Sequence, residues 1–216
     1  MVTLNKGQSQ VVTAVLLGGI LIVGISSAYT WGVPLLQKNK DVNKLQNTVS
    51  TFKKLEQEIE SVAQRGGTGQ IRFKVGSGFL RVSAENNTII YTVTTNAAYV
   101  ATGEWVPLNE NDLAGIAVAG RGEGYGIRNQ DKPGVLIANA DYQGDNYQTT
   151  FKLVFRELQS LSSNKGYIID LVGSGNLEAS GGTHQIIVQQ GDEVIEQGAS
   201  ATNGPLQKQR IKIRIN

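Results

Sequence analysis

The chain has no cysteine in 216 residues, so neither a disulfide framework nor thiol chemistry can be built from it. That absence is silent about compartment. Histidine is nearly as scarce. His184 stands alone, with no cysteine to share a metal, and a catalytic triad built on it would need partners that no local motif supplies. Charged residues make up only 18% of the chain and almost cancel, at a net +2, which removes any general electrostatic case for nucleic acid as a partner. No motif calls for a cofactor or a metal, and no constellation of residues points to an enzyme. The most informative absence is local: from Gly7 to Gln37 there is no charged residue at all. Within that stretch, Val11 to Leu36 supplies more than the roughly 20 apolar helical residues needed to cross a hydrocarbon core about 30 Å thick.

Leu, Ile, Val and Ala dominate this segment, with Gly18, Gly19 and Gly24 interspersed. Small residues let helices approach closely in nonpolar surroundings, where packing rather than water exclusion drives association. Tyr29 and Trp31 near the far end suit a headgroup interface. Pro34 has no amide hydrogen and clashes with the preceding turn, which predicts a kink or break near Gly32 to Pro34. Beyond it, Val42, Leu45, Val49, Phe52, Leu55, Ile59 and Val62 recur at steps of three and four, predicting an amphipathic helix from about Lys40 to Gln64. A polar helix needs tertiary burial to persist, so its apolar stripe is expected to pack on the domain ahead. Lys54 and Glu58, four apart, are placed to pair on the exposed side. Arg65-Gly66-Gly67-Thr68-Gly69 then reads as a helix stop and a flexible joint.

The remainder, residues 70–216, reads as β almost throughout. Ile71, Phe73 and Val75 alternate with Arg72 and Lys74, as a half-buried strand requires. Gly76-Ser77-Gly78 and Glu85-Asn86-Asn87 are turns. Alternation returns around Phe151, Leu153 and Phe155, at Tyr167, Ile169 and Leu171, from His184 to Gln189, and at Ile211, Ile213 and Ile215. Short strands at this spacing, with no intervening helix, predict an antiparallel β-sandwich. The fold class is therefore α+β, a long N-terminal hydrophobic and amphipathic helix followed by the sandwich.

Candidate chemistry is thin. The Gly120 to Gly126 run fits neither the Walker pattern nor the dinucleotide fingerprint, and reads as a surface loop or glycine-rich edge strand. Amide and acidic clusters at Asn109-Glu110-Asn111-Asp112 and from Asp141 to Asn146 carry oxygens suited to calcium but lack EF-hand spacing, so they read as loop chemistry. Asn86-Asn87-Thr88 is an N-glycosylation acceptor pattern, with Asn86 as the modified residue, placed in a hairpin turn.

Ahead of the apolar helix stands a six-residue polar leader, Met1 to Lys6, ending in the pair Lys6-Gly7. The apolar run is too long for a secretory signal peptide, and no Ala-x-Ala site closes it. This junction resembles the class III signal peptide of archaeal type IV pilin-like proteins. The resemblance implies that a prepilin peptidase recognises Lys6 and Gly7 and cuts after Gly7, leaving Gln8 as the new terminus. It further implies a precursor in the cell membrane that is moved by an assembly platform and its ATPase into an extracellular homopolymer. In that filament Val11, Val15, Leu16, Gly18, Gly19, Ile22 and Gly24 would form the polymerisation helix, and the β-domain would meet an adhesion target of unknown identity. The corresponding parts are a leader at 1–7, an apolar helix at 8–36, an amphipathic extension at 37–65, a joint at 66–69 and an extracellular β-domain at 70–216. Val12 departs from the family pattern, which often has glutamate at the fifth mature position. The rival reading is a membrane-anchored binding protein or minor pilin that displays the β-domain without forming the filament body.

Overall fold

The structure, a computed structural model, describes residues 6–109, 113–116 and 125–216. The chain divides into two compact units, Met1–Asp41 and Val42–Asn216. One helix, α1 (Lys6–Arg65), supplies the described part of the first unit and opens the second. Pro34 lies inside it: of the expected kink or break, a break does not occur. The proline removes a single ladder bond, the one to the Thr30 carbonyl. Ending the helix in an apolar stretch would strand several backbone groups at once, which costs more.

In the second unit the apolar stripe of α1 is buried: Leu45, Phe52, Leu55 and Ile59 are fully enclosed. Among the described residues Lys54 and Glu58 form no ion pair. The Glu58 side chain instead lies over Gly69, where any Cβ would collide with it. The helix stops at Gly66, whose positive φ of 79° lets its amide return to the Val62 carbonyl at 2.9 Å. β1 (Thr68–Lys74) then begins earlier than the sequence pattern indicates, and the joint is only Gly66 and Gly67.

Two six-stranded sheets follow. In the second sheet, β2 (Phe79–Ser83), β3 (Thr88–Thr95), β6 (Gly134–Gln143) and β7 (Asn146–Phe155) are antiparallel, flanked by β10 (Glu178–Ser180) and β4 (Val106–Pro107), in the order β10-β2-β3-β7-β6-β4. The period-2 reading holds on β7, where Thr149, Phe151, Leu153 and Phe155 all face inward. The first sheet has the order β1-β11-β12-β9-β8-β5, with β5 (Gly126–Ile127), β8 (Leu158–Gln159), β9 (Gly166–Gly173), β11 (Thr183–Glu196) and β12 (Leu206–Ile215). It is not purely antiparallel: β12 runs parallel to β9, from Leu206 opposite Gly166 to Ile213 opposite Gly173, and β5 runs parallel to β8.

Helix and sheets share one core. Phe52 on α1 meets Phe73 of β1 edge-on at 5.3 Å and stacks on Phe151 of β7 at 6.1 Å, so one ring touches both sheets. Tyr91 of β3 lies beside Phe73 and Phe151, its hydroxyl donating to the Val75 carbonyl at 2.7 Å. Glu56 is buried on α1, and both its oxygens accept from the Asn109 amide, at 2.8 and 2.7 Å. Asn109 Oδ1 in turn accepts from the Leu136 amide at 2.6 Å.

Asn87, in the turn before β3, joins the sheets directly. Its Nδ2 donates to the Phe155 carbonyl at 3.0 Å and the Ile169 carbonyl at 2.6 Å, while Oδ1 accepts from the Leu171 amide at 2.8 Å. β8 pairs with only the first two residues of β9, so the rest of that edge is open to a side chain. Asn87 holds φ 52°, a left-handed conformation that asparagine tolerates better than most residues.

Candidate functional site: the uncovered apolar helix

The second unit closes its core with residues from 45 onward. Nothing comparable happens to the apolar segment before it. Every large apolar side chain between residues 11 and 36 is exposed, Val15 at 69%, Ile20 at 68% and Trp31 at 84% among them. Burying one such side chain is worth about 1.5–3 kcal/mol, so leaving more than a dozen in water forgoes on the order of 20–40 kcal/mol. A domain's net stability is only about 5–15 kcal/mol. This surface is therefore built to be covered by something other than water.

The helix backbone suits such surroundings, since its polar groups are satisfied within the segment. The Thr30 hydroxyl also turns inward, donating to the Ser26 carbonyl. Of the described helices, α1 alone is long and apolar enough to cross a membrane, and none of its apolar window is buried. This is consistent with a membrane anchor or a secretion signal.

The glycines show how the surface is shaped. A Cβ placed on Gly18, Gly19, Gly24 or Gly32 would meet no atom within 4 Å. Neither internal packing nor an unusual φ calls for glycine there, and each costs about 0.5–1 kcal/mol relative to alanine in a helix. Gly19 opens a shallow apolar groove of about 360 Å³ walled by Val15, Leu16, Ile20 and Val23. Val15, Leu16 and Gly19 are among the residues expected to form the polymerisation helix; Ile20 and Val23 belong to the same face by helical spacing. Val11, Ile22 and Gly24 are exposed on the same helix.

The other candidate positions are scattered. Lys6, Gly7 and Gln8 are the first residues of α1, and Met1 to Asn5 lie outside the described residues. Asn86 is exposed in the β2–β3 turn, its amide on Ser83 Oγ at 3.0 Å, while the Thr88 hydroxyl of the same pattern is buried on the Asn86 carbonyl at 2.7 Å. His184 sits on β11 with Nε2 against the Gly181 carbonyl at 2.9 Å. Of the 109–112 cluster, Asn109 is committed to Glu56, and residues 110–112 lie outside the described residues. Residues 120–124 of the glycine-rich run also lie outside them; Gly126 begins the edge strand β5.

A family model matches residues 6–115, from the start of α1 through the first half of the second sheet. The chain belongs to DUF7289, a family of unknown function. The DUF7289 match spans the uncovered helix, its buried continuation and the first strands. No curated protein and no solved structure matches the chain. An apolar N-terminal helix followed by β-sheets gives this DUF7289 member a pilin-like architecture.

Proposed function

We propose that this chain is a structural subunit of an archaeal type IV pilus-like surface filament. In this reading a prepilin peptidase cuts between Gly7 and Gln8 while the precursor sits in the cell membrane. An assembly platform and its ATPase then transfer the subunit into an extracellular homopolymer used for adhesion. The observation that carries the reading is the uncovered helix, with open glycines that nothing inside the subunit needs. A simple anchor has no use for glycines that weaken its helix, whereas close packing between copies does. Moving the helix from lipid to neighbouring helices exchanges one apolar contact for another, so packing and the motor suffice. Val12 stands where a glutamate would pair with a neighbour's amino terminus, which leaves van der Waals packing as the supporting interaction in this chain.

The test is the intact mass and N-terminal sequence of the protein from its native envelope, with electron microscopy of sheared surface material. A start at Gln8 in filaments supports the proposal. A start at Met1 or Val2 with no filament overturns it in favour of a membrane-tethered binding domain.

A further inference from the structure

We propose that the β unit carries a binding site for a neutral saccharide, in a cavity of about 600 Å³ beside the end of α1. Its wall combines Gln64 of α1, Asn129 after β5, Gln190 and Glu193 of β11, and Gln207 of β12 around Tyr167 of β9. Among the described residues, none of these four amide side chains, nor the Glu193 carboxylate, nor the Tyr167 hydroxyl, has a hydrogen-bond partner in the protein. Gln64, Asn129, Gln190 and Glu193 are exposed at the rim of this half-open cavity, and Gln207 and Tyr167 are half-buried. A ligand there would meet, in place of water, several donors and acceptors that no protein group occupies.

The convergence is produced by strand register. Tyr167 lies directly opposite Gln207 in the parallel pair, and Ile169 opposite Gln209, so β9 and β12 present these side chains on one face. On β11, Gln190 and Glu193 are three apart, which in a regular strand would put them on opposite faces. The pairing slips between them: Gln190 faces Ile211 while Glu193 faces Gln209. This bulge reverses the alternation and brings both side chains to the cavity. Gly191 sits within the slip, where a Cβ would press on the Arg210 carbonyl at 3.1 Å.

The charges select the ligand class. Arg128 is the cation of the lining, and its guanidinium lies on the Tyr167 ring at 5.2 Å. Asp131 is engaged, accepting from the Ile127 amide and facing Arg156 at 3.9 Å. With Glu193 uncommitted, there is no surplus of positive charge for a phosphate or sulfate. Burial raises the Tyr167 pKa, Arg128 lowers it, and Glu60 and Glu193 raise it further; the net shift is upward, so the hydroxyl stays a donor at neutral pH. A ligand rich in both donors and acceptors, without charge and with an apolar ring face, satisfies this wall. A sugar has that chemistry.

The inference is independent of filament assembly and is tested separately. The full chain is purified in lauryldimethylamine oxide, whose headgroup is not a sugar. It is titrated with lactose, cellobiose and α-1,2-mannobiose, using saturation-transfer NMR. At least one disaccharide should give saturable transfer on a roughly millimolar scale. Gln207→Ala and Glu193→Ala should each weaken it by about fivefold, the effect of one lost hydrogen bond, with near-UV circular dichroism unchanged. Competition by soluble mannan or dextran distinguishes polymer-borne sugar from free disaccharide as the ligand's source. Absence of saturable transfer from all three sugars overturns the proposal, as does transfer that both variants leave unchanged.

Discussion

Replacing Asn87 with alanine removes one small side chain and should cost the β unit a large share of its stability. The side chain makes three hydrogen bonds to Phe155, Ile169 and Leu171, on strands of two different sheets. Truncation leaves two carbonyls and one amide without that partner, at about 1 kcal/mol each. Alanine must also hold φ 52°, which adds about 1 kcal/mol. The expected loss is about 4 kcal/mol, equivalent to roughly 8–16 °C in Tm for a domain of this size. Asn87→Gly accepts the backbone conformation and isolates the hydrogen-bond part, about 3 kcal/mol. Urea unfolding of the full chain in micelles, followed by near-UV circular dichroism, measures both. Asn86 and Thr88 are untouched, so any glycan at Asn86 does not confound the comparison. A loss below about 1 kcal/mol in Asn87→Gly would refute the claim that this amide couples the sheets.

Phe52→Ala should cost about 3–5 kcal/mol in the same urea assay, because its ring is fully buried against both sheets. Burial raises the Tyr91 pKa from 10.0 to about 12. A phenol that holds its proton more tightly when folded makes stability fall as pH rises between those values, by up to about 1.4 kcal/mol per pH unit, with no effect below pH 10. Tyr91→Phe should flatten that alkaline slope and cost about 1 kcal/mol at neutral pH, by loss of the bond to Val75. Gly19→Leu should leave urea stability of the β unit unchanged, since its Cβ meets open space, while reducing filament yield by electron microscopy. Equal yield from that variant counts against close helix packing at the groove.

Much of this fold was legible because its signals are local. The spacing of Leu45, Phe52, Leu55 and Ile59 specifies a buried helical stripe, and β7 alternates from Thr149 to Phe155. The parallel pairing of β9 with β12 was not legible. Alternation of Tyr167, Ile169 and Leu171 is the same whichever way the neighbouring strand runs. That Pro34 does not end the helix was not legible, because the loss of one ladder bond had to be weighed against the larger cost of interrupting a helix in an apolar stretch. Asn87 read only as a turn residue, since its partners lie 68 to 84 positions away. The amide-lined cavity escaped for a similar reason: its side chains come from five separate segments and are aligned by a bulge. The uncovered helix was read directly, because an unbroken run without charge needs no tertiary information.

The margins of the two sheets bear on how such units behave at high local density. An open strand edge is a template onto which another chain can zip, and crowding raises the chance of that error. Here β4 and β5 are two residues long and β10 is three, too short to recruit a neighbour. β1 is the longest of the four outer strands, and it turns Gln70, Arg72 and Lys74 to the solvent, so two copies meeting there bring like charges together. Sheet extension is thus discouraged at these outer strands, and among the described residues the largest run of exposed apolar side chains, the one best suited to contact between copies, lies on the apolar helix.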